Sequence, residues 1–193
     1  MIILALGTGM RSGEIAGLRW RSVDVPGRVV HVVEQARVRP APGESPWGTL
    51  KTASSRRTVP VPRPVMRRLA AHRLAHPTAD DEAVFRTATG RMWTSELVSA
   101  AMSTVGLRFH DMRHLYASHL IRHGRGPKSV QSMLGHASAM TTLDVYAHLW
   151  PDEGDLIRES AAMFVDDLLR DGGRAAWVSR QGKRHRVRVT RCR

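Results

Sequence analysis

The 193-residue sequence predicts a mainly α-helical domain with a small antiparallel β-sheet near its start. Three observations carry that prediction. Helical spacing of apolar residues dominates the chain after residue 94, punctuated by Gly124, Gly126, Pro127 and Gly135. A single run rich in β-branched residues, GRVVHVVEQARV, stands early, followed by the short turn-rich stretch TLKTASSRRTVPVP. A chain of this length, 42% hydrophobic and without internal repeats, buries one good core.

In order, MIILALG reads as the end of an apolar helix, and a Thr-Gly turn leads to a second helix over residues 12–18, with Glu14 in its first turn. Residues 27–38 read as a strand and 40–48 as a Pro/Gly loop. Lys51 falls on or beside a hairpin. A helix follows over 64–76, apolar at Val65, Met66, Leu69, Ala70 and Leu74. After the loop ADDEAVFRTATGRMW, helices are expected at about 94–104, 110–123, 127–134, 140–148 and 152–170. Residues 171–193 form a basic tail that alternates enough for a strand and is equally compatible with disorder.

Charge points to a polyanionic partner, since the net charge is +13. The tail holds eight basic residues and one acid, leaving +6 for residues 1–170. Arginine outnumbers lysine 27 to three, so a retained lysine such as Lys51 says more than one further arginine. No apolar run is long enough to span a membrane. The lone cysteine, Cys192, excludes a disulfide framework and fits a reducing cytoplasm.

Several polar residues stand out. His110 and Arg113 are three apart and share one helix face, pairing a proton carrier with a permanent fork-shaped cation. Arg11 lies in the turn that opens a helix, where free N–H groups and the helix dipole favour an anion. Tyr146, one of only two tyrosines, is flanked by Asp144 and His148, which suits a side chain that meets something polar.

Four stretches, TGMRSGE, LKTASSRRTVPV, FHDMRHLYASHL and LGHASAMTTLDVYAHL, occur in that order. Together they resemble the catalytic domain of the tyrosine recombinases, the phage-integrase family, and its actinobacterial branch in particular. The resemblance runs from Met1 to about residue 170. It implies the family's DNA breaking-rejoining fold, mainly α with a small antiparallel sheet, with its N-terminal part cut short. It assigns Arg11 as the first catalytic arginine, Lys51 as the hairpin lysine, His110 and Arg113 as the His-x-x-Arg pair, His136 as the last histidine and Tyr146 as the nucleophile. Glu14 matches an acidic position that supports the first arginine.

The chemistry implied is cleavage and rejoining of double-stranded DNA through a 3′-phosphotyrosyl bond, with no metal and no nucleotide cofactor. Arginines stabilise charge that develops on the phosphate in the transition state. A phenol has an ordinary pKa of about 10, and a cluster of cations is expected to bias it towards phenolate, with a nearby histidine sharing its proton. The lysine is the plausible acid for the leaving 5′-oxygen. The resemblance further implies a homo-oligomer, a tetramer on DNA, in which the segment 152–170 either packs on its own core or docks on the neighbouring protomer.

Other readings compete. A DNA-binding prophage remnant without efficient catalysis would have no need of Tyr146. Type IB topoisomerases use a related active site. Two-metal chemistry would need dispersed carboxylates, whereas ADDE and DEGD are contiguous runs. The pairs His110/His114 and His119/His123 have zinc-compatible spacing but no third ligand, and read as helix-surface histidines.

Overall fold

The computed structural model describes residues 1–104, 106–150, 154–170, 174–178 and 184–188. Contacts divide the chain into two units, Met1–Trp150 and Pro151–Arg193.

The first unit opens with helix α1 (Ile2–Thr8), stopped by Gly9 in the left-handed region at φ 61°. Helix α2 (Ser12–Ala16) starts at Arg11, and the Glu14 carboxylate accepts from the Arg11 backbone N–H at 2.9 Å. Satisfying that orphan donor fixes where the helix begins.

The strand expected over 27–38 arrives as two. Strand β1 (Val23–Asp24) pairs with β2 (Val29–Val32), whereas β3 (Gln35–Ala36) pairs with β4 (Trp47–Gly48). Between β2 and β3 the chain turns to place Glu34 against Arg19, Nη2 to Oε2 2.6 Å. The last residues of the expected 40–48 loop therefore join a sheet. Strand β5 (Arg57–Pro60) completes the antiparallel order β1-β2-β5, with Val30 opposite Val59 and both fully buried. Lys51 stands in the exposed bend between β4 and β5.

Helix α3 (Arg63–Ala75) carries Pro64 in its first turn and buries Val65, Met66 and Leu69. Leu74, expected on the same apolar face, is 83% exposed, because nine residues beyond Val65 it lies on the opposite side of the helix. Thr94 caps α4 (Ser95–Ser103) by accepting from the Leu97 N–H at 3.3 Å. Helix α5 (Phe109–Arg122) spans two cores. Phe109 and Met112 join the main core with Ile15, Trp20 and Val30, while Ala117 and Ile121 join a smaller one with Val130, Leu134 and Tyr146. Burying each Val, Leu, Ile, Phe or Met side chain there contributes about 1.5–3 kcal/mol.

Helix α6 (Pro127–Leu134) starts on Pro127 and is closed by Gly135 at φ 65°. Ser138 caps α7 (Ala139–Tyr146), its hydroxyl oxygen accepting from the Met140 N–H at 3.1 Å.

In the second unit, α8 (Gly154–Arg170) precedes the antiparallel strands β6 (Arg174–Val178) and β7 (Arg184–Arg188). The basic tail, left open between strand and disorder, thus contains a paired two-stranded ribbon. Helix α8, which the sequence groups with residues 1–150, falls in this second unit. No helix among the described residues is long and apolar enough to cross a membrane.

Candidate active site

The centre of the site is the C-terminal end of α6. Four successive carbonyls there each accept from a different side chain. Met133 O takes Arg57 Nε at 2.8 Å, Leu134 O takes Arg113 Nη2 at 2.6 Å, Gly135 O takes Arg11 Nη2 at 3.3 Å and His136 O takes Gln131 Nε2 at 3.1 Å. Carbonyls at a helix C-terminus lack intrahelical partners and carry the negative end of the dipole, so cations gather there. Gly9, another left-handed helix stop, presents its carbonyl to Arg113 Nη1 at 2.7 Å.

Glu14 gathers the arginines from the opposite side. Its Oε1 receives Arg11 Nη1 and Arg57 Nη1, both at 3.0 Å, and its Oε2 receives Arg57 Nη2 at 2.9 Å. Burial raises the Glu14 pKa, but hydrogen bonds and charge from Arg57 and then Arg11 outweigh it and hold the carboxyl below its ordinary range. Glu14 therefore holds Arg11 through both its side chain and its backbone N–H. Arg57 is a partner the sequence reading missed. Its side chain is buried, and it sits in SSRRTVP, one arginine of an adjacent pair in an arginine-rich chain.

Arg113 is 3% exposed. Burial, followed by repulsion from Arg11, lowers its pKa to about 9, which leaves it charged at neutral pH. Two of its five N–H donors are committed to carbonyls.

Two clefts meet at Arg11. One, of about 340 Å³, is lined by Arg11, Ser12, Arg108, His110 and Arg113 among others. The other, of about 240 Å³, is lined by Arg11, Glu14, Lys51, Thr52 and His136 among others. The fold thus brings together five of the six candidate catalytic residues, drawn from positions 11 to 136, with Glu14 in the same lining. His136 is anchored through Nδ1, 2.9 Å from Thr142 Oγ1. Burial, and then Arg113, Arg11, Arg57 and His110, push its pKa down to about 4, so the ring is neutral. His110 is lowered as well, by burial first and then by His114 and Arg113.

Tyr146 is different. Its side chain packs in the smaller core, 4% exposed, and it is not among the residues lining either cleft. The phenol does meet a polar partner, but an internal one: His114 Nδ1 lies 2.6 Å from the hydroxyl. Residues two apart on a helix point to different sides, so exposed Asp144 and His148 say nothing about the face Tyr146 takes. The expected bias towards phenolate is also reversed. Burial raises the Tyr146 pKa above its ordinary value, and the opposing pull of Arg113 is smaller. His114, read from the sequence as a surface histidine, faces inwards, its ring packed edge-on to His110 with centroids 4.6 Å apart. Among the described residues, His, Cys, Asp and Glu side chains nowhere gather in groups of three or more fit to hold a metal ion.

The sequence profile of the Phage integrase family matches residues 1–153. The chain belongs to this family. Among curated members, it is 29% identical to a XerC-like tyrosine recombinase of Caldanaerobacter subterraneus over 87% of this chain and 49% of that one. It is 27% identical to the ICEBs1 integrase of Bacillus subtilis over 86% of this chain and 48% of the relative. The chain therefore spans about half the length of the curated relatives it matches. Its fold is similar to that of the Tn1549 transposon integrase solved with circular intermediate DNA (TM-score 0.68, 22% identity, 84% of this chain and 57% of that one). It is also similar to the catalytic domain of bacteriophage HP1 integrase (TM-score 0.52, 22% identity, 84% and 80%). The family's fold, mainly helical with a small antiparallel sheet, is thus the one the sequence predicted.

Proposed function

We propose that this chain is the catalytic part of a site-specific recombinase that cuts and rejoins double-stranded DNA through a 3′-phosphotyrosyl bond. The observation that carries the reading is the convergence of Arg11, Lys51, His110, Arg113 and His136 on two adjoining clefts, around one helix end. Tn1549 integrase, which shares the fold, is solved bound to DNA.

In this mechanism a phosphodiester enters beside Arg11, and guanidinium and imidazole donors stabilise the charge on its non-bridging oxygens. The Tyr146 oxygen attacks phosphorus after its proton has passed to a histidine, and His114 is the one hydrogen-bonded to the phenol in its resting position. The P–O5′ bond breaks, and Lys51 protonates the departing 5′-oxygen. The phosphotyrosyl bond conserves the energy of the phosphodiester, so rejoining to a new 5′-hydroxyl needs no ATP. Tyr146 must leave the smaller core to reach the cleft, which makes DNA binding and release of the phenol successive steps.

In the wider assembly proposed, residues 1–170 form the catalytic domain, and a homotetramer assembles on DNA. Helix α8 exposes Ile157, Met163, Phe164 and Val165, an apolar face suited to docking on the next protomer. Truncation at residue 152 is expected to abolish higher oligomers on DNA; an unchanged oligomeric state rules the docking out.

Covalent trapping on a nicked suicide DNA in EDTA tests the chemistry. Wild type is expected to form a protein–DNA adduct and Tyr146→Phe none. A second reading, DNA binding without catalysis, draws on the buried phenol. It predicts equal DNA affinity for both proteins and an adduct from neither.

A further inference from the structure

We propose that Thr142 is a positioning residue that sets the tautomer of His136: Thr142 Oγ1–H donates to Nδ1, which leaves Nε2–H as the ring's free donor towards a phosphate oxygen in the Arg11–Lys51 cleft.

The inference rests on where one hydroxyl proton goes. Thr142 is wholly buried, and its Oγ1 lies 2.9 Å from His136 Nδ1. Buried threonines on helices often return their hydroxyl to the carbonyl four residues back, as Thr8 does to Leu4 O at 2.5 Å. Thr142 instead turns its hydroxyl to the imidazole. Were Nδ1–H the donor, the Thr142 proton would be left in a dry site with no acceptor among the described residues, and a buried unpaired donor carries its full desolvation penalty. With the hydroxyl donating, both groups are satisfied.

A neutral imidazole has one N–H only, so the tautomer decides whether the ring offers the cleft a donor or a lone pair. Burial and the three arginines keep this ring neutral at ordinary pH. Its backbone is fixed as well. The His136 N–H donates to Gln131 O at 3.2 Å, its carbonyl accepts from Gln131 Nε2 at 3.1 Å, and Lys128 Nζ holds Gln131 Oε1 at 3.0 Å. With Nδ1 occupied by Thr142, Nε2 is the nitrogen left for the cleft. An uncharged donor there adds a hydrogen bond to the phosphate without adding to the repulsion among Arg11, Arg57 and Arg113.

The tautomer rests on the Thr142–His136 geometry together with the neutral ring, while the phosphate contact rests on the recombinase reading. The test therefore has two arms. In the full chain without DNA, long-range ¹H–¹⁵N correlation of the His136 ring is expected to show Nδ1 unprotonated and Nε2 protonated. Thr142→Ser should keep that pattern and Thr142→Val should lose it. A protonated Nδ1 in the wild type, or an unchanged tautomer in Thr142→Val, overturns the proposal. In the suicide-DNA assay, Thr142→Val is expected to slow adduct formation by about 10²-fold, the loss of one transition-state donor, with Thr142→Ser restoring it. Wild-type rates in a folded Thr142→Val overturn the phosphate contact. An adduct from Tyr146→Phe would sink the recombinase reading and leave the tautomer assignment standing.

Discussion

Glu14 and Arg57, 43 residues apart, meet side by side through both carboxylate oxygens, at 3.0 and 2.9 Å. Both side chains are buried, so neither tolerates losing the other. Glu14→Ala is expected to cost about 3–5 kcal/mol in urea unfolding, because it strands the buried Arg57 charge, and Arg57→Ala less, because Arg11 still pairs with Glu14. The double variant should lose clearly less than the sum. Acid should erase the effect of Glu14. Its folded pKa is depressed, so its contribution is present above the unfolded value of about 4.3 and is lost as pH falls through the folded pKa. The stability gap between wild type and Glu14→Gln should therefore close below that range. A gap independent of pH would contradict the ion pair.

The phenols give an alkaline counterpart. Tyr116 and Tyr146 are the only two tyrosines, and burial raises both. A raised folded pKa means that stability is full below the unfolded value and is lost as pH rises through the folded one. Tyrosinate absorbance in the folded protein should appear only above about pH 10, and Tyr146→Phe should remove one of two ionisations. A step near neutral pH would show a phenolate already formed.

Gly135→Ala probes the helix end. A Cβ there would sit 2.9 Å from Arg57 Nη1 on a backbone at φ 65°. The left-handed conformation alone costs about 1–2 kcal/mol for a residue with a side chain, and Arg57 must also move from the Met133 carbonyl. We expect a lower melting temperature and slower adduct formation together.

DNA affinity should fall steeply with salt, since phosphate contacts from a +13 chain release counterions. A plot of log affinity against log salt gives the number of contacts. Arg11→Ala should lower its slope by about one contact, whereas a flat plot would remove arginine–phosphate pairing from the account.

Helix positions were largely legible in the sequence because glycine and proline mark their ends. Gly9, Pro127 and Gly135 each stop or start a helix where expected. The strand over 27–38 was not, since periodicity does not reveal that Glu34 turns aside to hold Arg19. The catalytic candidates came from motifs, and residue types in sequence order survive without any three-dimensional knowledge. Arg57 and His114 escaped for one reason. Each acts through a partner distant along the chain, Glu14 and Tyr146, and neither neighbourhood looks unusual on its own. The polar flanks of Tyr146 do not reveal that its polar partner is internal, because residues two apart on a helix do not share a face.

The four carbonyls at the end of α6 have a consequence for biogenesis. Their donors lie at positions 11, 57, 113 and 131, so no short stretch of the chain contains the finished cluster. A nascent or locally melted molecule keeps its positive charge but lacks this arrangement of arginines around one helix end.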